Sequence, residues 1–292
     1  MSKDAYQADG VIVVNRVKPH TDFHGSVESG LMKMCVIGLG KHAQALEMHR
    51  LGVYGLRELM PVAARKILKT GKILLGVGIV ENALDQTLAI RASNADGIEA
   101  LDAELLDLAR KNMPSLPVDE LDLLIVDNLG KDKSGTGMDT NIIGCMRISG
   151  QEEPNKPDIS YIIACNLTEA SDDNALGMGL ADFITRKFYN QIDFEATYEN
   201  VMTSSFIERG RMPMVAGDEY QAVEWALRAI GPKKAEDILA IRIPSTLELN
   251  ILQVSPAVLK KIMDSTVYKE RRIEVLSEAN TIFDEKGSLK PF

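Results

Sequence analysis

Apolar positions along the chain follow two periods. VIVVNRV, residues 11 to 17, is β-branched and ends at Lys18-Pro19, the pattern of a buried strand running straight into a loop. Helical spacing covers about 41 to 51 and again 55 to 69. KILLGVGIVEN and TLAIRAS then read as two strands joined by a polar turn at Ala83 to Gln86. From Ile98 to Asn112 the apolar residues Leu101, Leu105, Leu108 and Ala109 form one helical face, stopped by Pro114. DLLIVDNLG, from residue 122, is a continuous apolar run of the kind a parallel sheet buries on both sides.

Further on, SYIIACN predicts a strand, and helices are expected near 174 to 190 and 195 to 204. RGRMPMVAGD reads as a loop before a helix from Glu219 to Ile230, a strand DILAIRI, and a small C-terminal helix and strand. Such alternation predicts an α/β fold, a mixed or mostly parallel sheet flanked by helices. Residues 131 to 158 are rich in Gly and Pro and poor in regular pattern. A sub-boundary near 150 would fall there, but the alternation continues across it and favours one α/β unit over 1–292. A core strand eleven residues from Met1 raises the expectation of a preceding domain that is absent or carried by another chain.

The composition narrows the partners. A formal charge of −9 argues against nucleic acid or an acidic membrane surface, both of which reward basic surfaces. No apolar run reaches the roughly 20 residues that span a bilayer, and the polar start MSKDAYQADG lacks the layout of a secretory signal. Cys35, Cys145 and Cys165 are odd in number and widely spaced, which fits buried thiols in a reducing cytoplasm.

Chemistry concentrates in one place. All four histidines, His20, His24, His42 and His49, lie between residues 20 and 49, together with Lys33 and Lys41. Histidine is the commonest metal ligand and titrates near neutrality, so the cluster is a candidate site. His20 and His24 have HxxxH spacing, but Pro19 and Gly25 flank them and favour a loop over a shared helical face. His42 and His49 are two helical turns apart, roughly 10 Å, too far to share one ion directly. Lys33, within LMKMCVIG, is either a snorkelling side chain or a desolvated amine suited to covalent attachment. Gly38 and Gly40, ahead of a helix, offer either a tight turn or free N–H groups for a phosphate.

In order and spacing these residues resemble the nickel-pincer-nucleotide-dependent lactate racemases and their relatives. Pro19-His20 matches that family's catalytic histidine dipeptide, Lys33 its cofactor-bound lysine, Gly38 a glycine five residues later, and His49 the nickel-binding histidine sixteen residues after the lysine. Downstream, Tyr220-Gln221 matches a substrate-side motif that continues with a lysine; Glu224 stands at that position here. A carboxylate there would repel a carboxylate substrate, so the substrate or its orientation differs from lactate. VNRVKPHTDFHGSVESGLMKMCVIGLGK and SGTGMDTNIIG, residues 134 to 144, are most similar to an uncharacterised branch of the superfamily. The glycines of SGTGMDTNIIG fit either an anion-binding nest or a surface loop.

The resemblance implies the cofactor-anchoring and C-terminal part of the lactate racemase fold. It also implies a nickel-pincer nucleotide attached through Lys33, nickel held by His49, and His20 as general base on an α-hydroxy acid or sugar acid whose α-hydrogen leaves as hydride. Tyr220, Gln221 and Glu224 would line the substrate. The family's second histidine and its carboxylate-binding arginine come from an N-terminal domain that this chain does not show, so a separate chain or a homo-oligomer is an expected partner. His24 is a poor second base because it lies so close to His20. Two other readings remain: a zinc hydrolase using His20, His24 and His49 with Asp22 or Glu28, and a non-catalytic nucleotide-binding subunit.

Overall fold

The computed structural model describes residues 1–279 and 281–292. The chain is α/β and forms two compact units. One comprises Met1–Pro114 with Met202–Phe206, the other Ser115–Val201 with Ile207–Phe292. The division therefore falls at 114/115 and not near 150. A cut near 150 would separate two strands that pair from Glu120↔Asp158 to Leu129↔Leu167.

In the first unit β1 (Val11–Arg16) pairs in parallel with β2 (Ile73–Glu81), which pairs antiparallel with β3 (Thr87–Ser93). The β2–β3 turn is held by Asn82, whose Oδ1 accepts the N–H groups of Leu84 and Gln86. One face of the sheet receives the Ile98–Asn112 helix, which buries Ile98, Leu101, Leu105, Leu106 and Ala109. At Gly78 a Cβ would lie 2.3 Å from a Leu105 methyl, so the bare backbone is what lets the helix close on the strand. The other face stays open to solvent although it is apolar: Val14 is 57% and Ile90 63% exposed, with Ile12 and Leu88 beside them. Isolated exposed hydrophobics are ordinary, but a contiguous stripe on a sheet is not.

Between β1 and β2 the chain forms a loop over 17–30 and is then mostly helical to Leu68. An α-helical turn, Leu31–Lys33, widens to a π-helical turn, Met34–Gly38, and continues over Leu39–His49. Lys41 breaks the last segment with φ 60°, ψ −160°. A second path runs through Gly52–Tyr54, a π-helical turn Gly55–Leu59, and Met60–Leu68.

The second unit is built on a sheet of order β7-β6-β5-β4-β8-β9, parallel except for the β8–β9 pair. Its centre is β4 (Glu120–Leu129), flanked by β5 (Asp158–Leu167) and by β8 (Ala240–Ile243), which pairs at its other edge with β9 (Gln253–Val254). Leu121 to Val126 are all buried, as a strand covered on both faces requires. Leu123, Ile125, Ile163, Phe183, Ala222 and Ala226 form the core between this sheet and the Glu219–Ile230 helix.

Two expectations fail here. The helix expected over 174 to 190 is instead a short strand β6 (Phe183–Thr185) followed by a helix, Arg186–Gln191. The loop RGRMPMVAGD contains β7 (Met214–Ala216), paired in parallel with β6. Both strands are three residues long, and periodicity cannot separate so short an apolar run from a helical turn or a loop.

Residues 131 to 158 contain one helical turn, Thr140–Ile143, as their composition suggests. It ends at Gly144, where φ is 67° and a Cβ would sit 1.8 Å from the Pro157 carbonyl oxygen, so both conformation and space demand glycine. Among the described residues no helix is long and apolar enough to cross a membrane. The cysteines are free thiols, and burial pushes Cys35 up to about 12 and Cys145 up to about 11, with Cys165 also raised.

Candidate functional site

The histidine-lysine stretch folds into one corner of the first unit. Leaving β1, the chain forms a loop pinched shut where Lys18 and Ser29 exchange backbone hydrogen bonds, 3.0 and 3.3 Å. Phe23 and Val27 are buried inside it, and the Phe23 ring lies 4.5 Å from the His20 ring. His20 and His24 are thus loop residues, as Pro19 and Gly25 suggest.

Glu28 ties the loop together. Its side chain is 0% exposed. One oxygen accepts the His20 N–H at 2.6 Å; the other accepts the Gly25 N–H at 2.9 Å and Arg110 Nη2 at 2.6 Å, with His24 Nδ1 at 3.3 Å. Burial by itself would raise the Glu28 pKa, but the hydrogen bonds from His24, His20, Gly25 and Arg110 outweigh it and hold the carboxyl below the ordinary range. Arg110 also donates to the Gly25 carbonyl, 2.8 Å, fastening the loop to the end of the Ile98–Asn112 helix.

The helix carrying Lys33 is capped from a distance. Both oxygens of Asp102 accept helix-starting N–H groups, Leu31 and Met32, at 2.9 Å each. A Cβ on Gly30 would lie 1.9 Å from Asp102 Oδ1, so the carboxylate reaches the helix end only because residue 30 is glycine. Burial raises the Asp102 pKa, against the pull of these two bonds. The helical path therefore begins at Leu31, and the notion of Gly38 and Gly40 as a free helix N-terminus is corrected. Leu39 N–H donates to the Met34 and Val36 carbonyls, and the Met34 sulfur lies where a Gly38 side chain would stand, 1.9 Å from its Cβ position.

Here the side chains converge. Lys33 Nζ is 3.0 Å from His20 Nε2, and His20 is only 6% exposed. His20 Nδ1 accepts the Asp22 N–H at 3.1 Å. In a neutral imidazole that accepts the Asp22 N–H at Nδ1, the single ring proton is on Nε2, toward Lys33. That contact is a hydrogen bond only if Nζ offers a lone pair, which a neutral amine has and an ammonium lacks. Burial lowers the Lys33 pKa in the same direction, opposed by Asp22 and assisted by Lys18.

His49 is half-buried, and its Nδ1 is a buried atom with no hydrogen-bond partner among the described residues. Burial lowers its pKa, Asp22 opposing and Lys33 adding, so it is held neutral, the form that ligates metals. The same charges, Asp22 and Lys33, act on His49 as surround His20. His24 has its side chain 47% exposed and bound to Glu28, and His42 is exposed.

No group of three or more His, Cys, Asp or Glu side chains that could hold a metal exists among the described residues. Glu28, one of the two carboxylates considered for zinc, is already engaged by four donors, and His20 faces an amine. The zinc-hydrolase reading of His20, His24 and His49 therefore has no donor set here.

Tyr220, Gln221 and Glu224 belong to the other unit, on the first turns of the Glu219–Ile230 helix. Gln221 has a local structural role: Asp218 accepts its N–H at 2.8 Å, and its own Oε1 accepts the Gly217 N–H at 2.6 Å, closing the helix start. Tyr220 meets Phe283 edge-on at 5.3 Å, and Glu224 is exposed. Sequence reasoning missed Arg110 and Asp102, which lie 70 residues or more from the groups they hold. Each reads as an ordinary polar position on an amphipathic helix.

No protein-family model matches the sequence, and no curated protein does. Among solved structures, the lactate racemase apoprotein from Thermoanaerobacterium thermosaccharolyticum is similar to this chain at 12% identity and TM-score 0.40. The similarity covers 84% of this chain and 63% of that one, so the chain spans less than two thirds of that protein.

Proposed function

We propose that this chain anchors a nickel-pincer nucleotide and takes part in racemising or epimerising a small α-hydroxy acid or sugar acid. The observation that carries the reading is the 3.0 Å pairing of Lys33 Nζ with His20 Nε2 in the same corner as a buried His49 nitrogen without a hydrogen-bond partner among the described residues. These residues fit the group that the sequence motifs imply. Lys33 presents the lone pair that a thioamide linkage needs, and His49 Nδ1 is a neutral nitrogen donor for a square-planar ion. Gly38 would contribute only backbone and the Met34 side chain packed on it.

When bound, such a group supplies a hydride acceptor and a Lewis acid for the substrate oxygen. The residues of this chain do the rest. Acylating Lys33 removes the lone pair that His20 Nε2–H now meets, which frees that nitrogen to face a substrate hydroxyl. To act as a base there, His20 needs its other tautomer, with Nδ1–H directed at the Asp22 carboxylate, 3.8 Å away. That exchange releases the Asp22 N–H from Nδ1, while Glu28 and Arg110 hold the rest of the loop in place.

Racemisation needs an acid-base group on each face of the substrate. The second is proposed to come from a partner, either a separate domain or another copy, for which the apolar face of β1–β3 offers an unoccupied surface. Tyr220, Gln221 and Glu224 are proposed substrate contacts. The test is intact mass of the full chain made together with the cofactor-synthesis enzymes, followed by metal analysis and chiral assay of hydroxy acids. An adduct on Lys33, lost in Lys33→Arg, is expected; His49→Ala should keep the adduct and lose nickel. No adduct, or zinc bound without one, overturns the reading. An adduct without isomerisation, even with a partner domain added, leaves the non-catalytic nucleotide-binding subunit.

A further inference from the structure

We propose that Lys33, independently of any bound nucleotide, is a preformed amine nucleophile that condenses with small carbonyl compounds, aldehydes or 2-oxo acids, to an imine, with His20 as the oxyanion donor. The proposal rests on geometry. His20 Nδ1 is engaged by the Asp22 N–H at 3.1 Å, which leaves Nε2–H to point at Lys33 Nζ, 3.0 Å away. In that tautomer a lysine ammonium would set two donors against each other, whereas the amine accepts the Nε2–H. Lys33 as a residue is partly exposed, and Phe23 and Glu28 hold the His20 ring and its backbone in place beside it.

The step balances without an oxidant or reductant. The Nζ lone pair attacks the carbonyl carbon, and the C=O π pair moves to oxygen. That oxygen is two bonds from Nζ, within reach of the His20 Nε2–H that the lone pair has just released. Both amine protons pass through solvent to the oxygen, the C–O bond breaks as nitrogen forms C=N, and water leaves. Amine plus carbonyl become imine plus water. Beside the His20 N–H donor and with burial lowering its proton affinity, Lys33 offers its lone pair more readily than a surface lysine, so it should react faster than exposed lysines at neutral pH.

The experiment treats the full chain, made without cofactor-synthesis enzymes, with glyoxylate and then borohydride, which reduces an imine to a stable amine. Intact mass and peptide mapping read the site. The expected result at pH 7 is one dominant adduct on Lys33, absent in Lys33→Met. In His20→Phe the rate should fall on the order of 10²-fold, the usual loss when one oxyanion donor is removed. Circular dichroism confirms that both variants fold, and Lys69→Ala, an exposed lysine on the Met60–Leu68 helix's C-terminal end, serves as a folded comparison that keeps the amine and the histidine. Adducts spread over exposed lysines with Lys33 no faster, or an unchanged dominant adduct in Lys33→Met, overturn the proposal. So does a Lys33 rate that climbs with pH in step with exposed lysines. The racemase reading fails separately: glyoxylate trapping at Lys33 with no nucleotide adduct sinks that reading alone, and the converse sinks this one alone.

Discussion

Replacing Glu28 by alanine should release the loop that presents His20. In the native chain its carboxylate accepts two backbone N–H groups, His20 and Gly25, plus Arg110 and His24. Each backbone donor left buried without a partner costs about 1–3 kcal/mol. Arg110 is 38% exposed and can rehydrate, so its lost ion pair adds little after screening. The sum is about 4 kcal/mol, or roughly 10³ in the opening equilibrium of residues 18 to 29. Amide exchange by mass spectrometry reads this directly; the single tryptophan, Trp225, lies in the other unit, so its fluorescence does not. An exchange rate for peptides covering 18 to 29 within about tenfold of the native one, about 1.4 kcal/mol, refutes the reasoning.

The same carboxylate predicts a pH dependence. Its folded pKa lies below that of a free glutamate, so the unfolded state binds a proton first as pH falls. The loop is therefore fully protected above the ordinary glutamate range, near 4.3, and loses protection as pH drops from there through the lower folded value. Glu28→Ala should abolish that loss.

Asp102→Ala should lower the stability of the first unit by about 2–4 kcal/mol, since Leu31 and Met32 N–H lose their acceptor; thermal melting by circular dichroism checks it, and an unchanged midpoint contradicts the cap. Ile90→Lys on β3 should leave the melting midpoint nearly unchanged, within about 0.5 kcal/mol, while reducing concentration-dependent self-association in light scattering. A large loss of stability would mean that this face is packed rather than open.

Much of the molecule is legible in the sequence because its elements are long enough to show a period. VIVVNRV, KILLGVGIVEN, TLAIRAS and DLLIVDNLG all appear as β1 to β4, and the 98–112 helix appears with its apolar face on the sheet. β6 and β7 do not, because three residues that pair with neighbours distant in sequence carry no local signature. The candidate site divides along the same line. Spacing alone brings His20, Lys33 and His49 to notice, but spacing also allowed a zinc cluster and a phosphate-binding helix start, and neither survives.

The sequence by itself determined the α/β alternation, the short helical and loop segments that carry the histidines, and the residue types available for chemistry. Tertiary structure decided what those residues are. The Asp22 N–H meets His20 Nδ1, His20 Nε2 meets the Lys33 nitrogen, Arg110 and Glu28 fix the loop, and Asp102 starts the lysine's helix. Protonation state depends on which dipoles and charges lie within a few ångströms after folding, and the two groups that hold these residues in place, Arg110 and Asp102, come from far along the chain.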